Sequence, residues 1–247
     1  MTLRHRIRSL LRSSGFDVVR YPAPDFDEDF LETLEAVRPY TLASPERIYA
    51  VCQAARYIAR FRVPGAVVEC GVWRGGSMMA AARTLGAVGD SERSLYLFDT
   101  FEGMPAPGHE DVRYDGISAA TVLEREPRRD PTSAWCVASL DDVKTSMTKV
   151  GYPEERVHFV AGRVEATLPS RAPEPIALLR LDTDWYESTH HELVHLVPRL
   201  SPGGVLIIDD YGHWKGSRKA TDEYIASTPD FGMLTRIDYT GRLAIKP

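Results

Sequence analysis

Four aspartates stand at the ends of two apolar runs. Asp182 and Asp184 follow Ile176–Leu181, and Asp209 and Asp210 follow Val205–Ile208. If the two runs are neighbouring strands, these ends converge. Three or four carboxylates within a few ångström repel unless a cation sits among them or some take up protons. An all-oxygen donor set selects Mg2+, Ca2+ or Mn2+ over zinc. The idle alternative is a scatter of helix caps and solvated pairs; the spacing favours a divalent cation.

A second constellation is Val67-Val68-Glu69-Cys70-Gly71-Val72-Trp73-Arg74-Gly75-Gly76-Ser77, an apolar run entering a glycine-rich turn and then a helix. Glycine permits positive φ and lets a ligand lie against the backbone, and a helix N-terminus offers free N–H groups. The spacing is neither GxGxxG nor a phosphate loop ending in Gly-Lys-Ser/Thr, and a tight turn without a ligand would look similar. Asp99 closes the next apolar run, Leu95-Tyr96-Leu97-Phe98. A single carboxylate there can accept both hydroxyls of a ribose, or serve as a turn cap. Together the turn and Asp99 point to a bound adenosine and leave open what, if anything, is transferred.

The histidines say less. His191 and His195 are four apart on a predicted helix beside His190, but no HExxH pattern accompanies them. His109 and His213 are better placed to meet a substrate. Cys52, Cys70 and Cys136 form no CxxC pair, which fits packing residues in a reducing compartment.

The elements that must position these groups alternate from Pro64 onward, short apolar runs with helical periods. This predicts an α/β fold, a doubly wound, mostly parallel sheet. The expected strands are Ala66–Cys70, Ser94–Phe98, Val157–Ala161 (nearer an edge, since it contains a His), Ile176–Leu181 and Val205–Ile208. Met233–Asp238 and Arg242–Lys246 are too close for a crossover, so they form an antiparallel hairpin. Helices are expected over Ser44–Phe61, Ser77–Leu85, Ser139–Val150, Glu187–Leu200 and Ser217–Ser227. Residues 1–63 read as a helical N-terminal region and 64–247 as the ligand-binding domain. Within it, 101–136, rich in proline and glycine, reads as a lid.

Met1–Arg12 carries four arginines among Leu3, Ile7, Leu10 and Leu11; this is the pattern of a solvated helix, with a targeting segment as the alternative. Across 247 residues, 30 basic against 35 acidic side chains leave a net charge of −5, which disfavours binding to nucleic acid through bulk phosphate attraction. No apolar run approaches the roughly 18 residues of a membrane span.

Glu69-Cys70-Gly71-Val72-Trp73-Arg74-Gly75-Gly76, then Phe98-Asp99-Thr100-Phe101-Glu102-Gly103-Met104-Pro105, then Leu181-Asp182-Thr183-Asp184-Trp185-Tyr186-Glu187-Ser188-Thr189, and finally Leu200-Ser201-Pro202-Gly203-Gly204 through Asp209-Asp210-Tyr211 occur in one order. With Gly216-Ser217-Arg218-Lys219-Ala220, they make the chain from about Pro64 to Glu223 resemble the macrocin O-methyltransferase family, whose members methylate sugar hydroxyls. The resemblance implies a Rossmann-like class I methyltransferase fold using S-adenosylmethionine and Mg2+. The donor would be held by Glu69, Gly71, Trp73, Gly75, Ser77, Asp99 and Thr100, and the metal by Asp182, Asp209 and Asp210, with Asp182 as proton acceptor. It further implies a sugar or glycoside acceptor, with no nucleic-acid or membrane partner, in a cytoplasmic homo-oligomer. A catechol-type phenol O-methyltransferase and a non-catalytic nucleotide-binding protein on the same fold are the rival readings.

Overall fold

The computed structural model describes residues 11–14, 21–128, 130, 132–228 and 232–247; most of the basic N-terminal segment lies outside them. Seven strands form one sheet: β1 (Ala66–Cys70), β2 (Leu95–Asp99), β3 (Val157–Ala161), β4 (Ile176–Leu181), β5 (Leu200–Ile208), β6 (Thr235–Arg236) and β7 (Arg242–Ile245). Their order is β3-β2-β1-β4-β5-β7-β6. The first five are parallel, and β7 runs antiparallel to both β5 and β6. As expected, β3 is an edge and the C-terminal pair is a hairpin.

The helices are α1 (Glu28–Val37), α2 (Pro45–Arg60), α3 (Gly76–Ala87), α4 (Ala119–Arg125), α5 (Leu140–Thr148), α6 (Val164–Thr167), α7 (Tyr186–Leu196) and α8 (Lys215–Ala226). Side-chain oxygens of Asp27, Ser44, Ser118 and Ser139 cap α1, α2, α4 and α5. None of the described helices is long and apolar enough to cross a membrane.

Alternation along the strands decides which side chain goes where. Val67, Leu95, Leu97, Leu178, Val205 and Ile207 face α1, α2, α3 and α5 in one core. Val68, Cys70, Phe98, Leu179, Leu181, Leu206 and Ile208 face α6 and α7 in the other. By the same period, Glu69, Arg180 and Asp209 share the first face. A third, smaller core of Ala119, Val122, Leu123, Trp185 and Trp214 seats the 101–136 segment over the strand ends.

Strand order reverses between β1 and β4, and in open α/β sheets the crevice beyond such a switch point is where ligands bind. Here the crevice lies between Gly71, just past β1, and Asp182, just past β4. The Asp182 amide donates to the Cys70 carbonyl at 2.8 Å.

Candidate active site

A cavity of about 430 Å³ opens at the switch point. Its floor is the turn after β1, where Gly71 has φ +79°, Trp73 φ +47° and Gly75 φ +89°. Gly75 starts α3 without any side-chain cap. Asp99 shapes this turn. Its Oδ2 accepts the Val72 amide at 2.6 Å and the Trp73 amide at 3.0 Å, and its Oδ1 accepts the Phe101 amide at 2.7 Å. A carboxylate has about four acceptor positions, so capacity is left for a ligand hydroxyl. Gly71, Trp73, Ser77, Asp99 and Thr100 all line the cavity; Gly75, although part of the turn, and Glu69 on β1 do not.

The acidic groups divide in a way the sequence reading did not anticipate. One oxygen each from Asp182, Asp184 and Asp210 lies within 4.8 Å of the others. Asp209 is not in that trio, although the metal set expected from the resemblance included it. Its Oδ1 accepts from Arg180 Nη2 at 2.5 Å and its Oδ2 from Arg47. The physical reason is that both of its oxygens are taken by guanidinium groups, although its carboxyl also lies against that of Asp182.

Electrostatics follow the same division. Burial pushes Asp182 and Asp210 well above the usual carboxylate range, and pushes Asp184 up to about 7. Asp182 keeps 28 % of its side chain exposed while giving one oxygen to Arg180. Burial would raise Asp209 too, but the Arg180 and Arg47 charges outweigh it and hold that carboxyl low. Asp210 Oδ2 is buried without a hydrogen-bond partner. An unsatisfied buried oxygen facing two further carboxylates is what a hard, oxygen-seeking cation would relieve, so the residues present fit a divalent metal. Asp184 sits at φ +66°, a left-handed conformation that costs a non-glycine residue about 1–3 kcal/mol and concentrates at functional sites.

Arg180 ties the two halves together. Its Nη1 donates to Glu69 Oε1 at 2.5 Å and to Asp182 Oδ2 at 2.7 Å, besides its bond to Asp209. Burial raises Glu69 to about 7 even beside this guanidinium. Arg180 interrupts the apolar run Ile176–Leu181, and a cation inside a buried strand demands a partner, a signal that sequence reasoning could have used.

The 101–136 segment closes one side of the cavity through Met104, Val122, Glu126, Ala134 and Cys136. Asp111 is its clasp. Asp111 Oδ1 accepts the amide of Tyr186, the first residue of α7, at 2.7 Å, and Oδ2 accepts that of Gly108 at 2.7 Å. The helix that follows Asp184 is thus capped from the lid. His213 lines the cavity, whereas exposed His109 pairs with Glu110 outside it. His191 and His195 meet edge to face at 4.3 Å along α7.

The family model of macrocin O-methyltransferase matches residues 26–244. This chain belongs to that family. It is 33 % identical over 218 residues (88 % of this chain, 80 % of the relative) to the 8-demethyl-8-(2,3-dimethoxy-alpha-L-rhamnosyl)-tetracenomycin-C 4'-O-methyltransferase of Streptomyces olivaceus. It is 32 % identical over 185 residues to the mycinamicin III 3''-O-methyltransferase of Micromonospora griseorubida, covering 75 % of this chain and 70 % of the relative. Among solved structures, the O-methyltransferase NovP superposes with a TM-score of 0.72 at 30 % identity, covering 84 % of this chain and 82 % of that one.

As a member of the macrocin O-methyltransferase family, the chain is an O-methyltransferase on a class I methyltransferase sheet. Four of the stretches that carry the resemblance reach the one crevice: the turn after β1, the end of β2, the end of β4, and the far end of the β5 stretch at Asp209 and Asp210. Arg47 on α2, outside those stretches, reaches into the same place from another element.

Proposed function

We propose that this O-methyltransferase moves the methyl group of S-adenosylmethionine to a hydroxyl of a sugar, with Mg2+ as its metal. The observation that carries the reading is the meeting of Asp182, Asp184 and Asp210 beside the glycine turn and Asp99 in one cavity. The names of the Streptomyces olivaceus and Micromonospora griseorubida relatives, each an O-methyltransferase for a numbered position of a glycosylated or macrolide product, support a sugar acceptor.

The turn 71–77 and Thr100 would hold the donor, and Asp99 would accept its ribose hydroxyls. When bound, S-adenosylmethionine supplies a methyl group on a positively charged sulfur. Asp182 and Asp210, with Asp184 beside them, would hold Mg2+, which lowers the pKa of hydroxyls next to it. Asp182 already gives one oxygen to Arg180, so Asp184 is the better proton acceptor; its carboxylate would take the hydroxyl proton while the methyl passes from sulfur to oxygen and the neutral thioether departs. Trp185 and Trp214 pack edge to face at 5.0 Å under the lid and keep water from the strand ends.

The test is calorimetric binding of S-adenosylmethionine with and without Mg2+, followed by turnover on glycosides. The expected result is donor binding that needs little metal and methyl transfer that requires it. Absence of donor binding under both conditions overturns the reading, and so does methylation of simple catechols with none of glycosides.

A further inference from the structure

One carboxyl group is buried where its helix otherwise presents leucines. α7 packs Leu193 and Leu196 into the core beneath β1 and β4, and Glu192 goes in beside them, 0 % exposed. Burial, joined by the negative charges of Glu165, Asp182 and Asp210, pushes its carboxyl well above the usual range. It therefore keeps its proton and has one donor to give. The Thr183 hydroxyl and the Cys70 thiol stand within reach. Yet Glu192 Oε1, Glu192 Oε2 and Thr183 Oγ1 are all buried without completing a hydrogen bond. Orphaned polar groups of this kind cost stability, and a leucine at 192 would carry no such cost. The acid serves something other than the core.

Its neighbour points to what that is. Thr183 is the residue between Asp182 and Asp184. The backbone of this turn is already tied down: the Thr183 carbonyl accepts the Trp185 amide at 2.7 Å and the Ser188 hydroxyl at 3.3 Å, and the Asp182 amide donates to the Cys70 carbonyl at 2.8 Å. The Thr183 side chain is the remaining handle, and a β-branched side chain is stiff about χ1, so holding its hydroxyl orients the turn. Asp184 follows directly at φ +66°, where a small rotation of the turn re-aims the carboxylate. Asp210 Oδ2, within the trio, is orphaned as well. Uncompleted polar contacts thus stand at both ends of one short path, the trio at one end and Glu192 at the other.

We propose that Glu192 is a positioning residue for the carboxylate trio: through the Thr183 hydroxyl it holds the Asp182–Asp184 turn, so that the Glu192–Thr183 hydrogen bond and cation binding by Asp182, Asp184 and Asp210 strengthen each other. Such coupling is reciprocal. Glu192 does not line the cavity, so its action runs through the turn. This rests on the divalent-metal reading above and adds the buried group that tunes it.

The test is calorimetric titration of the full chain with Mg2+ alone, paired with urea unfolding of the same proteins. Glu192→Leu should weaken Mg2+ binding about tenfold, the upper end for one hydrogen bond, while its stability without metal equals or exceeds that of the parent. Affinity for S-adenosylmethionine should stay near the parent value. Glu192→Gln, which keeps a donor and an acceptor, should recover most of the Mg2+ affinity. Thr183→Val should reproduce the loss and Thr183→Ser should not, and the double variant Glu192→Leu with Thr183→Val should be no worse than either single one. Parent-like Mg2+ affinity in Glu192→Leu, or losses that add in the double variant, overturns the proposal. So does a Glu192→Leu protein that loses stability, donor binding and Mg2+ binding together, which is the mark of a purely structural role. Should Glu192→Leu fail to fold, equal Mg2+ affinity in Thr183→Val and Thr183→Ser overturns it. A parent chain that binds no Mg2+ overturns the metal reading itself, and the role of Glu192 falls with it.

Discussion

A Cβ built on Gly71 would lie 2.0 Å from the Asp182 carbonyl oxygen, so the backbones after β1 and β4 touch where the donor turn meets the acidic cluster. The position also has φ +79°. Gly71→Ala must move one strand end against the other, and the clash and the left-handed backbone together should cost about 2–5 kcal/mol. Denaturant titration and donor calorimetry on the same variant should show loss of both stability and binding. Wild-type donor affinity in the alanine protein would disprove the coupling.

Asp99 holds two amides of the turn and is placed to take a ribose. Asp99→Ala removes both functions, so donor affinity should fall about 10–100-fold. Because the carboxylates beyond β4 and β5 are not involved, Mg2+ binding should survive. Isothermal titration with each ligand separately distinguishes this from general unfolding.

Much of this arrangement is legible in the sequence because the sheet is buried on both faces. Apolar runs such as Ala66–Cys70 and Ile176–Leu181 appear as strands at their observed positions. The reading fails where one local signal masks another. Leu200-Ser201-Pro202-Gly203-Gly204 looks like a turn, yet β5 starts at Leu200 because Ile176 on β4 pairs with it. Proline and acid around Tyr21–Asp29 read as a linker or surface loop, and the structure has a loop there up to Asp27, which caps α1. The division of Asp209 from Asp210 needs the guanidinium groups of Arg180 and Arg47, the latter from a helix some 160 residues earlier in the chain (|i−j| 162). No local pattern marks Asp111, whose partners Gly108 and Tyr186 become neighbours only after folding.

Arg180 is the hub of the buried charges, with 6 % of its side chain exposed against 3 % for Glu69 and 2 % for Asp209. Arg180→Met would strand those carboxylates without a countercharge, and breaking a buried ion pair on one side costs about 3–5 kcal/mol. Adding Glu69→Gln should return part of that loss. A single variant as stable as the parent in urea would show that the network is not holding the fold.

Stability should depend on pH in a direction set by burial. Asp184 and Glu69 are both raised to about 7 from ordinary values of 3.8 and 4.5. Across that window the folded protein keeps protons that the unfolded chain has shed, so these two groups make metal-free stability fall as pH rises. Mg2+ needs ionised carboxylates, so its stabilisation should grow over the same window. Thermal unfolding at about pH 5 and about pH 8 should therefore show the larger Mg2+-induced rise at the higher pH, and Asp210→Asn should lose it. Asp184→Asn should retain donor binding while transfer drops about 10²–10⁴-fold. An equal Mg2+ effect at both pH values would argue against the carboxylate trio.

The 101–136 segment caps α7 through the carboxylate of Asp111. Asp111, 2 % exposed, accepts the Tyr186 amide at the start of a helix whose preceding residue, Trp185, supplies no side-chain cap. Losing a cap of this kind costs about 0.5–2 kcal/mol, which the whole fold can absorb. Its local effect should be greater, because α7 begins two residues after Asp184 and the lid packs on Trp185. Asp111→Ala should thus lower kcat well beyond what its small loss of stability suggests, and leave donor affinity near the parent value. Hydrogen exchange should locate the loosening in 104–118 and at the first turn of α7. Protection lost evenly over the molecule would instead mean that Asp111 serves stability alone.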